Sequence, residues 1–499
     1  MNTPQTASAP PALRPHQPPE VPFRLRVERS LRDTFLRVAV PSATRRFHTA
    51  RQHALAELGE PLRWRQLARD IRAHTIANLD HYLAQAAAAV EARGGRVHWA
   101  AEADDAVAAV RAIAREAGVR RVVKSKSMVT EELHLNRWLE AEGIEVVETD
   151  LGEYIIQLDG DTPSHIIAPA VHKTQEQVRR MFSRLAGEDL PGEAQALTDF
   201  ARRRLREKFL TADMGISGAN FVVAETGHVV LVTNEGNGRM VTSLPRVHVA
   251  VMGMERVVPT WEDLAVLLEV LPRSATGQKL SVYTSITGGG PASPEEGDGP
   301  REFHLVIVDN GRSRLLGTRY QEGLHCIRCG ACLNACPVYR EVGGHAYGGV
   351  YSGPIGAVIT PLLGGFDGWE ELPHASSLCG ACHEACPVMI PLHEMLVDLR
   401  TDEVEAGRSS PSERWAFRLY RWLCQRPWAY RWAARAAAVL QEPLLDDGVL
   451  RGGPGPLAAW TAGRDFPPVA RRTFRERWRA LETDAGDAPA QHGTGAEGR

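Results

Sequence analysis

The chain has 499 residues, of which 43% are hydrophobic and 24% are charged, and its formal net charge is −3. This length suits roughly two to four domains, and the composition is typical of a globular protein. The small net charge argues against general nucleic-acid binding, which favours a strongly basic domain. No run approaches about 18 consecutive apolar residues, so we expect no transmembrane helix.

The predicted elements follow a proline-rich leader, residues 1–24, which we expect to be disordered because prolines stand where a signal peptide needs an apolar core. Apolar residues then return every three or four positions over about 28–90, which predicts helices. From about 97, helices and strands alternate, which favours an α/β fold with helices packed on a mainly parallel sheet. The predicted helices there are about 102–117, 131–143, 173–186 and 193–209, and the predicted strands are 119–123, 144–149, 228–233, 247–252, 280–284 and 303–309.

These patterns divide the chain into successive parts. An α/β domain with a helical N-terminal part is expected over 25–317, and a glycine-, proline- and acid-rich surface excursion at 285–302 interrupts two of its strands. Residues 318–400 form the cysteine-containing domain. An arginine- and tryptophan-rich helical extension follows over 401–480, and the tail 481–499 is expected to be disordered on composition.

Seven of the eight cysteines lie between Cys326 and Cys386. A disulfide framework needs a secreted context and usually a small domain, whereas thiolates at gaps of two and three residues indicate metal in a reducing compartment. Zinc sites use separated pairs of cysteines and give no reason for a third cysteine and a fourth before proline. The run CIRCGACLNACP, residues 326–337, therefore indicates an iron–sulfur ligand set.

In two-cluster ferredoxins the fourth cysteine of each run binds the cluster of the other run. The second run, SSLCGACHEACP, occupies residues 376–387, and alignment on the prolines puts Ser376 where its first cysteine would fall. The cross-ligation predicts two iron–sulfur clusters of the 4Fe-4S type: the first is bound by Cys326, Cys329, Cys332 and Cys386, and the second by Cys336, Cys379 and Cys382.

The second cluster thus lacks one evident thiolate. Its remaining iron can be bound by Ser376, by a nearby His374 or His383, by water or substrate, or by a partner's residue, or it can be absent in a 3Fe-4S cluster. The sequence leaves these alternatives open. Cys424 lies outside both runs, in an amphipathic helix, and we expect it to be a buried thiol.

The segment KSKSM, residues 124–128, follows a predicted strand and precedes a helix, where α/β folds place ligands. Lys124, Ser125, Lys126 and Ser127 would suit a carboxylate or phosphate. The alternative is a loop in which a serine or Thr130 caps the helix.

Two glutamates beside the strand 228–233 are weak catalytic candidates. Glu225 and Glu235 would act as acid or base if burial raised their pKa, although NEGNG is also ordinary turn sequence. We expect His165 and His172 to be core or surface histidines rather than ligands. No dinucleotide, P-loop or serine-hydrolase motif is present, which does not exclude a flavin bound in another way.

In the C-terminal extension, Trp415, Leu419, Trp422 and Leu423 recur at helical spacing with arginines between them. This pattern predicts an amphipathic helix that packs on the cysteine-containing domain. Docking to a partner or to a membrane surface, where a quinone could accept electrons, is the alternative.

With both runs in place, the chain resembles the iron–sulfur protein B family of the bacterial L-lactate utilization system. The resemblance covers about residues 25–480, through the segments 122–158, 165–174, 209–253 and 305–316 and the arginine/tryptophan extension. It implies a lactate-utilization domain related to sugar-phosphate isomerases and CoA transferases, and the same seven cysteine ligands. It also implies oxidation of L-lactate to pyruvate in a cytoplasmic complex with two partners, one cysteine-rich and one a smaller protein built on the lactate-utilization domain.

Two classes of function therefore compete. The first is an electron-transfer subunit, a component of an L-lactate dehydrogenase complex that passes electrons to a downstream carrier. In the second, the N-terminal domain is itself an enzyme for a hydroxy acid or acyl group, and the clusters are structural or regulatory. A redox-sensing regulator is disfavoured because no helix-turn-helix or basic recognition segment stands out.

Overall fold

A computed structural model describes residues 17–288, 299–452 and 455–486. Most of the predicted leader (1–16), part of the predicted surface excursion (289–298) and most of the predicted tail (487–499) lie outside the described residues. The chain divides into two units, one up to Glu405 and one from Ala406.

Four helices begin the first unit, which confirms the helical prediction for about 28–90. Val40, Ala68 and Ile76 from these helices are buried. Pro61 begins the third helix, where the fixed φ of proline suits the first turn. The helices are α1 (Phe23–Arg32), α2 (Leu36–Ala56), α3 (Pro61–Ala77) and α4 (Leu79–Ala92).

The α/β part follows, and its strands and helices alternate as predicted. In chain order they are β1 (Arg96–Ala100), α5 (Ala103–Glu116), β2 (Arg121–Lys124), α6 (Met128–Glu132), α7 (Leu135–Glu140), β3 (Glu145–Glu148), α8 (Leu151–Asp159), α9 (Gln175–Ala186), α10 (Ala194–Leu210), β4 (Met214–Ser217), β5 (Phe221–Val223), β6 (His228–Thr233), α11 (Asn237–Ser243), β7 (Val247–Gly253), β8 (Val257–Val258), α12 (Trp261–Ala275), β9 (Tyr283–Thr287) and β10 (Glu302–Val308).

The main sheet has six strands in the order β1-β10-β7-β4-β2-β3, and every neighbouring pair is parallel. All seven residues of the central strand β7 are buried, as expected where helices cover both faces of a parallel sheet. The predicted α/β fold class is therefore confirmed. Because the strands are parallel, the residues that follow β2, β3, β4 and β7 meet at one edge.

A second sheet has the strand order β8-β5-β6-β9 and is antiparallel except where β5 pairs with β8. The predicted strands 228–233 and 280–284 belong to this sheet, and the second begins at Tyr283 rather than at residue 280. Strands β1, β4, β5 and β8 were not predicted, because two to five residues are too short for a periodicity to stand out.

The predicted helix 131–143 was wrong as one element. His134 has a φ of 50°, in the left-handed region that non-glycine residues seldom adopt, and it separates α6 from α7. Leu135 and Leu139 lie after this break and are fully buried. The break therefore precedes a short helix that packs its leucines into the core.

The cysteine-containing part packs directly on the N-terminal helices: α2 contacts its first two helices as well as α12. Tyr339, Tyr347 and Trp369 fill its interior. Its helices are α13 (Ala331–Ala335), α14 (Pro337–Val342), α15 (Gly353–Gly364), α16 (Ala381–Ala385) and α17 (Leu392–Glu405). Helix α17 continues past residue 400, where the sequence placed the start of the extension.

The second unit is mainly helical, as predicted. It contains α18 (Pro411–Cys424), α19 (Pro427–Leu440), β11 (Leu445–Asp446), β12 (Val449–Leu450), α20 (Pro456–Thr461) and α21 (Phe474–Gly486). Helix α21 thus includes residues 481–486, which the sequence assigned to the disordered tail.

Helix α18 carries the predicted amphipathic face, but none of its residues is buried. Trp415 and Leu419 are exposed. The expectation that Cys424 is buried was wrong: its thiol is exposed at the end of this helix. Within the described ranges, none of the helices combines the length and the apolar character needed to cross a membrane.

Candidate functional site

The two cysteine runs fold into the same loop twice. Arg328 and Gly330 have φ values of 58° and 74° in the first loop, and Leu378 and Gly380 have 54° and 79° in the second. These left-handed positions turn the backbone sharply. Each loop continues into a one-turn helix, α13 or α16, and ends at an extended cysteine. The duplication in the sequence is therefore also a duplication of backbone structure.

Four cysteines line one enclosed chamber, and we call them the inner group: Cys326, Cys329, Cys332 and Cys386. Three of them are buried and Cys326 is half-buried. Burial, followed by the negative charge of Cys386, raises the pKa of the Cys329 thiol to about 12. The structure thus brings the last cysteine of the second run beside three cysteines of the first.

The other three cysteines of the runs, Cys336, Cys379 and Cys382, form the outer group. Cys336 and Cys382 are buried, whereas Cys379 is exposed. Burial, followed by the charge of Cys336, raises the pKa of Cys382 to about 12. The outer group therefore contains an exposed cysteine, whereas the inner group is buried or half-buried.

The donor chemistry of both groups fits iron–sulfur clusters. Burial disfavours the thiolate, so neighbouring sulfurs ionise together only beside strong positive charge, which coordinating iron supplies. Backbone N–H groups also point at sulfur: Arg328 donates to Cys326 Sγ at 3.4 Å, and Tyr339 donates to Cys336 Sγ at 3.5 Å. Such bonds help to set cluster potentials.

Ser376 takes the position in the second loop that Cys326 has in the first. Its Oγ accepts a hydrogen bond from the N–H of Leu378 at 3.1 Å, as Cys326 Sγ does from the N–H of Arg328. Because both bonds join residues two positions apart in matching turns, the serine oxygen stands where the loop would place the missing sulfur.

The two histidines considered as alternative ligands have other partners. His374 Nε2 lies 2.9 Å from a carboxylate oxygen of Glu403, and His383 Nδ1 lies 3.1 Å from the carbonyl oxygen of Ile390. Each contact uses one ring nitrogen, as in histidines that bind a metal through the other nitrogen.

Arginines of the N-terminal helices bind the backbone of the second loop. Arg65, on α3, donates to the carbonyl of Cys386 at 2.9 and 3.1 Å and to that of His383 at 3.2 Å. Arg51, on α2, donates to the carbonyl of Glu384 at 3.3 Å. These contacts fix Cys386 against the N-terminal helices and bring positive charge close to the inner group.

A buried ion network anchors the first loop to the α/β part. Glu255 lies 2.8 Å from Arg312, 3.4 Å from Arg328 and 3.6 Å from Arg256, and Arg312 also pairs with Glu132 at 2.8 Å. Burial alone would raise the pKa of Glu255, but the arginines outweigh it and lower the pKa to about 2. Glu255 is therefore held ionised.

Lys124 lies in a second buried ion cluster rather than facing a cavity. Its Nζ is 2.7 Å from Glu148, 2.9 Å from Glu131 and 3.0 Å from Thr130 Oγ1. Burial would lower the pKa of Lys124, but the two glutamates outweigh it and raise the pKa. Ser127 Oγ accepts the N–H of Thr130 and caps α6. Both side chains thus have structural contacts.

Ser125, Lys126 and also Ser127 line a cavity of about 470 Å³ at the carboxyl edge of the main sheet, with Glu235 at its exposed side. Glu235 accepts the N–H of Leu151 at 3.1 Å. Partial burial, followed by the charge of Asp150, raises the pKa of Glu235 to about 7. Of the predicted substrate and catalytic residues, these four come together.

Glu225 lies at the start of α12, where its carboxylate accepts the N–H of Trp261 at 2.9 Å. His165 is buried, and its ring lies 3.0 Å from Asn334 Oδ1 of α13; burial lowers its pKa to about 4. These contacts are those of a helix cap and of a neutral core histidine.

His172 pairs with Asp161 at 3.0 Å, and its ring packs edge-on against His345 at 4.5 Å. These three side chains lie close enough to share a cation. The ammonium of Lys173 already lies 2.5 Å from Asp161, so a positive group is present there.

The arginines around the inner group were not predicted from the sequence. Arg65 and Arg72 are seven residues apart on α3 and so share one helix face, and Arg72 donates to the carbonyl of Val257 at 2.9 Å. Arginines repeating on one helix face, and an arginine between two cysteines at Arg328, are the signals that could have indicated them.

Comparison with protein families gives three matches in chain order. The LUD domain matches residues 83–308, the 4Fe-4S dicluster domain matches residues 322–390, and the family "Lactate utilisation protein B, C-terminal" matches residues 401–482. The second match contains both cysteine groups, and the chain accordingly has a dicluster iron–sulfur region.

Curated relatives are similar over nearly the whole chain. A lactate utilization protein B of Shouchella clausii is 51% identical over 93% of this chain and 98% of its own length. Those of Oceanobacillus iheyensis and Bacillus pumilus are each 51% identical, over 92% and 91% of this chain and 96% of their own lengths. A solved DUF162 family structure from Deinococcus radiodurans covers 46% of this chain and 98% of its own at 14% identity, with a TM-score of 0.27, too low to argue from.

Proposed function

This chain belongs to the lactate utilization protein B family, and we propose that it is the iron–sulfur electron-transfer subunit of a complex that oxidises L-lactate to pyruvate. The observation that carries the proposal is the folding of seven cysteines into an inner and an outer group. When bound, the two clusters supply one-electron carriers between lactate oxidation and a further acceptor. The relatives' shared name supports lactate as the metabolite.

We propose a cross-ligated arrangement in which each run contributes to both clusters. The inner group, Cys326, Cys329, Cys332 and Cys386, holds one 4Fe-4S cluster. Its support is the shared chamber, in which Cys386 lies beside three cysteines of the other run.

The outer group, Cys336, Cys379 and Cys382, holds the second cluster, and we propose Ser376 Oγ as its fourth ligand. The support is the matching turn that places this oxygen like the sulfur of Cys326. A serine oxygen is a harder ligand than a thiolate, so this iron would be bound more weakly than the other three.

Electrons are proposed to leave the chain at the outer group, because Cys379 is exposed whereas the inner cysteines are buried or half-buried. The partners are then the two other subunits of the cytoplasmic complex, one cysteine-rich and one built on the lactate-utilization domain. A peripheral contact with a membrane through the exposed aromatic and arginine residues of α18 would bring the chain close to a quinone acceptor.

Anaerobic reconstitution of the full chain tests the proposal. We expect roughly eight irons and eight sulfides per chain for two cubane clusters, with two reducible centres by EPR. About seven irons per chain, with the EPR signal of a three-iron cluster, would mean that the fourth iron is absent and that Ser376 binds no iron. A chain without any reducible cluster would contradict the electron-transfer function.

The alternative function, in which the N-terminal domain itself oxidises the substrate and the clusters are structural, gives a different result. In the assembled complex, lactate-dependent reduction of an artificial acceptor should be lost when Cys336 and Cys379 are both replaced with alanine. Lactate turnover that persisted in this double variant would favour the N-terminal domain as the enzyme.

A further inference from the structure

The cavity of about 470 Å³ lies at the carboxyl ends of four parallel strands of the main sheet. Ser125, Asp150, Gly218 and Arg256 line it and follow β2, β3, β4 and β7, respectively. Open α/β sheets bind ligands at this edge, and the volume falls in the range typical of small-molecule sites. Its location therefore agrees with a ligand site built by the sheet itself.

Four polar atoms of the cavity lining are buried and have no hydrogen-bond partner among the described residues: Ser125 Oγ, Lys126 Nζ, Asn237 Oδ1 and Arg328 Nη1. Ser125 is 3% exposed, Asn237 is 5% exposed, and the Arg328 side chain is 9% exposed. Leaving one buried polar atom unbonded is costly, and native proteins leave few of them. Four around one cavity point to a polar ligand.

The cationic side chains favour an anion at one part of the lining, which also includes the carboxylates of Asp150 and Glu235. Lys126 forms no ion pair with a described residue, whereas Lys124, two positions earlier, pairs with Glu131 and Glu148. Arg328, which also pairs with Glu255 at 3.4 Å, adds a second cation to the lining. Two cationic donors and a hydroxyl match the oxygens of a carboxylate.

Asn237 supplies a hydrogen-bond acceptor. Its Nδ2 lies 3.5 Å from Thr149 Oγ1, and the Thr149 hydroxyl donates to the carbonyl of Lys124 at 2.8 Å. Because that hydroxyl proton is already used, Thr149 can only accept from Asn237, which leaves Oδ1 of Asn237 as a free acceptor. A ligand that satisfies the whole lining must therefore present a donor as well as a carboxylate.

We propose that this cavity binds a small 2-hydroxycarboxylate, with its carboxylate at Ser125, Lys126 and Arg328 and its hydroxyl donating to Asn237. The choice of a hydroxy acid of the size of L-lactate rests on the proposed function, whereas the carboxylate and the donor follow from the cavity lining. The site assigns substrate binding to this chain and not to a partner protein.

The site also adjoins the inner group. Ile166 and Arg328 line both the cavity and the chamber of the four cysteines, and Arg328 lies in the loop between Cys326 and Cys329. An anion bound to Arg328 should therefore alter the electrostatic environment of the inner cluster and leave the outer cluster nearly unaffected.

Calorimetric titration of the reconstituted full chain with L-lactate, and separately with propionate, tests the proposal. Propionate has the carboxylate but no hydroxyl, so we expect saturable lactate binding and propionate binding about tenfold weaker. Lactate should also change the EPR signal of the inner cluster only. A chain with both clusters present that binds no lactate, or binds the two acids equally, would overturn the inference and leave the electron-transfer function standing.

Variants locate the site. Lys126→Met should weaken lactate binding about tenfold or more, and Asn237→Ala should abolish the preference for lactate over propionate. Lys208→Met is the matched control, because Lys208 pairs with Glu145 at 2.6 Å on the surface. Lactate affinity unchanged in Lys126→Met, or lowered equally in Lys208→Met, contradicts the site. If Lys126→Met loses its iron, Ser125→Ala is a milder variant in which the same decrease in lactate affinity can be measured.

Discussion

The inner and outer cysteine groups share a loop conformation but differ in their surroundings. The inner group is enclosed, has four sulfurs and lies among arginines from the N-terminal helices and from its own loop. The outer group has three sulfurs, and Cys379 is exposed. One duplicated motif has therefore given a protected centre beside a cavity and an accessible centre at the surface.

This difference teaches that ligand spacing and surroundings have separate origins. The loops fix where the donors stand, whereas burial and part of the charge come from helices that are distant in sequence. Because cluster potentials follow local charge, hydrogen bonds and solvent exposure, two centres held by nearly identical loops can differ in redox behaviour. Four changes would break or sharpen this comparison.

The largest effect is expected from removing the ligands that cross between the runs. Cys386→Ala should remove the inner cluster, and Cys336→Ala should remove the outer one, each with loss of about four irons. The two clusters can be distinguished by their solvent exposure, because only the outer cluster should lose its iron quickly to a chelator. Cys424→Ala should retain all the iron. If Cys386→Ala lost the chelator-sensitive centre instead, each run would bind its own cluster.

A smaller change should follow at Ser376. Ser376→Cys completes four thiolates, and we expect slower loss of iron from the outer cluster in air. Ser376→Ala should release one iron and give the EPR signal of a three-iron centre. Ser377→Ala, the neighbouring exposed serine, is the control. An unchanged iron count and spectrum in Ser376→Ala would show that another group binds the fourth iron.

Disrupting the ion network around Glu255 should destabilise the inner cysteine group and not the outer group. Glu255→Gln leaves the buried Arg328 and Arg256 without their carboxylate, while Arg312 keeps Glu132. We expect this to cost about 3–5 kcal/mol of unfolding free energy, measured as earlier thermal loss of inner-cluster absorbance. Glu341→Gln is the matched control, since Glu341 and Arg37 form an exposed pair at 3.6 Å worth less than about 1 kcal/mol. Equal losses in both variants would contradict a special role for the network.

The same network predicts a pH dependence. The pKa of Glu255 is lowered from 4.5 to about 2 by its arginines, so its stabilisation is present above pH 4.5 and is lost as the pH falls from 4.5 towards 2. The stability difference between the wild type and Glu255→Gln should therefore narrow over this window. A constant difference across it would exclude Glu255 as the titrating group.

The smallest expected effect is a shift in potential. Arg65→Gln removes a charge that binds the carbonyl of Cys386, and it should lower the potential of the inner cluster by several tens of millivolts, as for one charge about 10 Å away at an effective dielectric near 20. Arg340→Gln, beside Cys336, should lower that of the outer cluster instead. Redox titration followed by EPR measures both potentials. Equal shifts at both clusters in either variant would contradict separate electrostatic surroundings for the two groups.

Features encoded by local spacing could be predicted from the sequence. The cysteine runs, the N-terminal helices and the parallel sheet each have a pattern within a short window. The contact of Arg65 with Cys386 spans 321 residues, and no local pattern encodes it. Likewise, KSKSM was predicted to be one ligand loop. In the structure β2 ends at the buried Lys124, and Lys126, two residues later, lines the cavity.

The long reach of Arg65 also affects how the protein is made. Chains emerge from the ribosome at roughly 5–20 residues per second, so α3 waits about 16–64 s for the loop 321 residues downstream. Until then the surface of α3 that will cover Cys386 has no native partner, and the inner cluster cannot be completed. Iron insertion at the inner group should therefore follow translation, and a nascent chain interrupted before residue 386 should require a chaperone to remain free of aggregation.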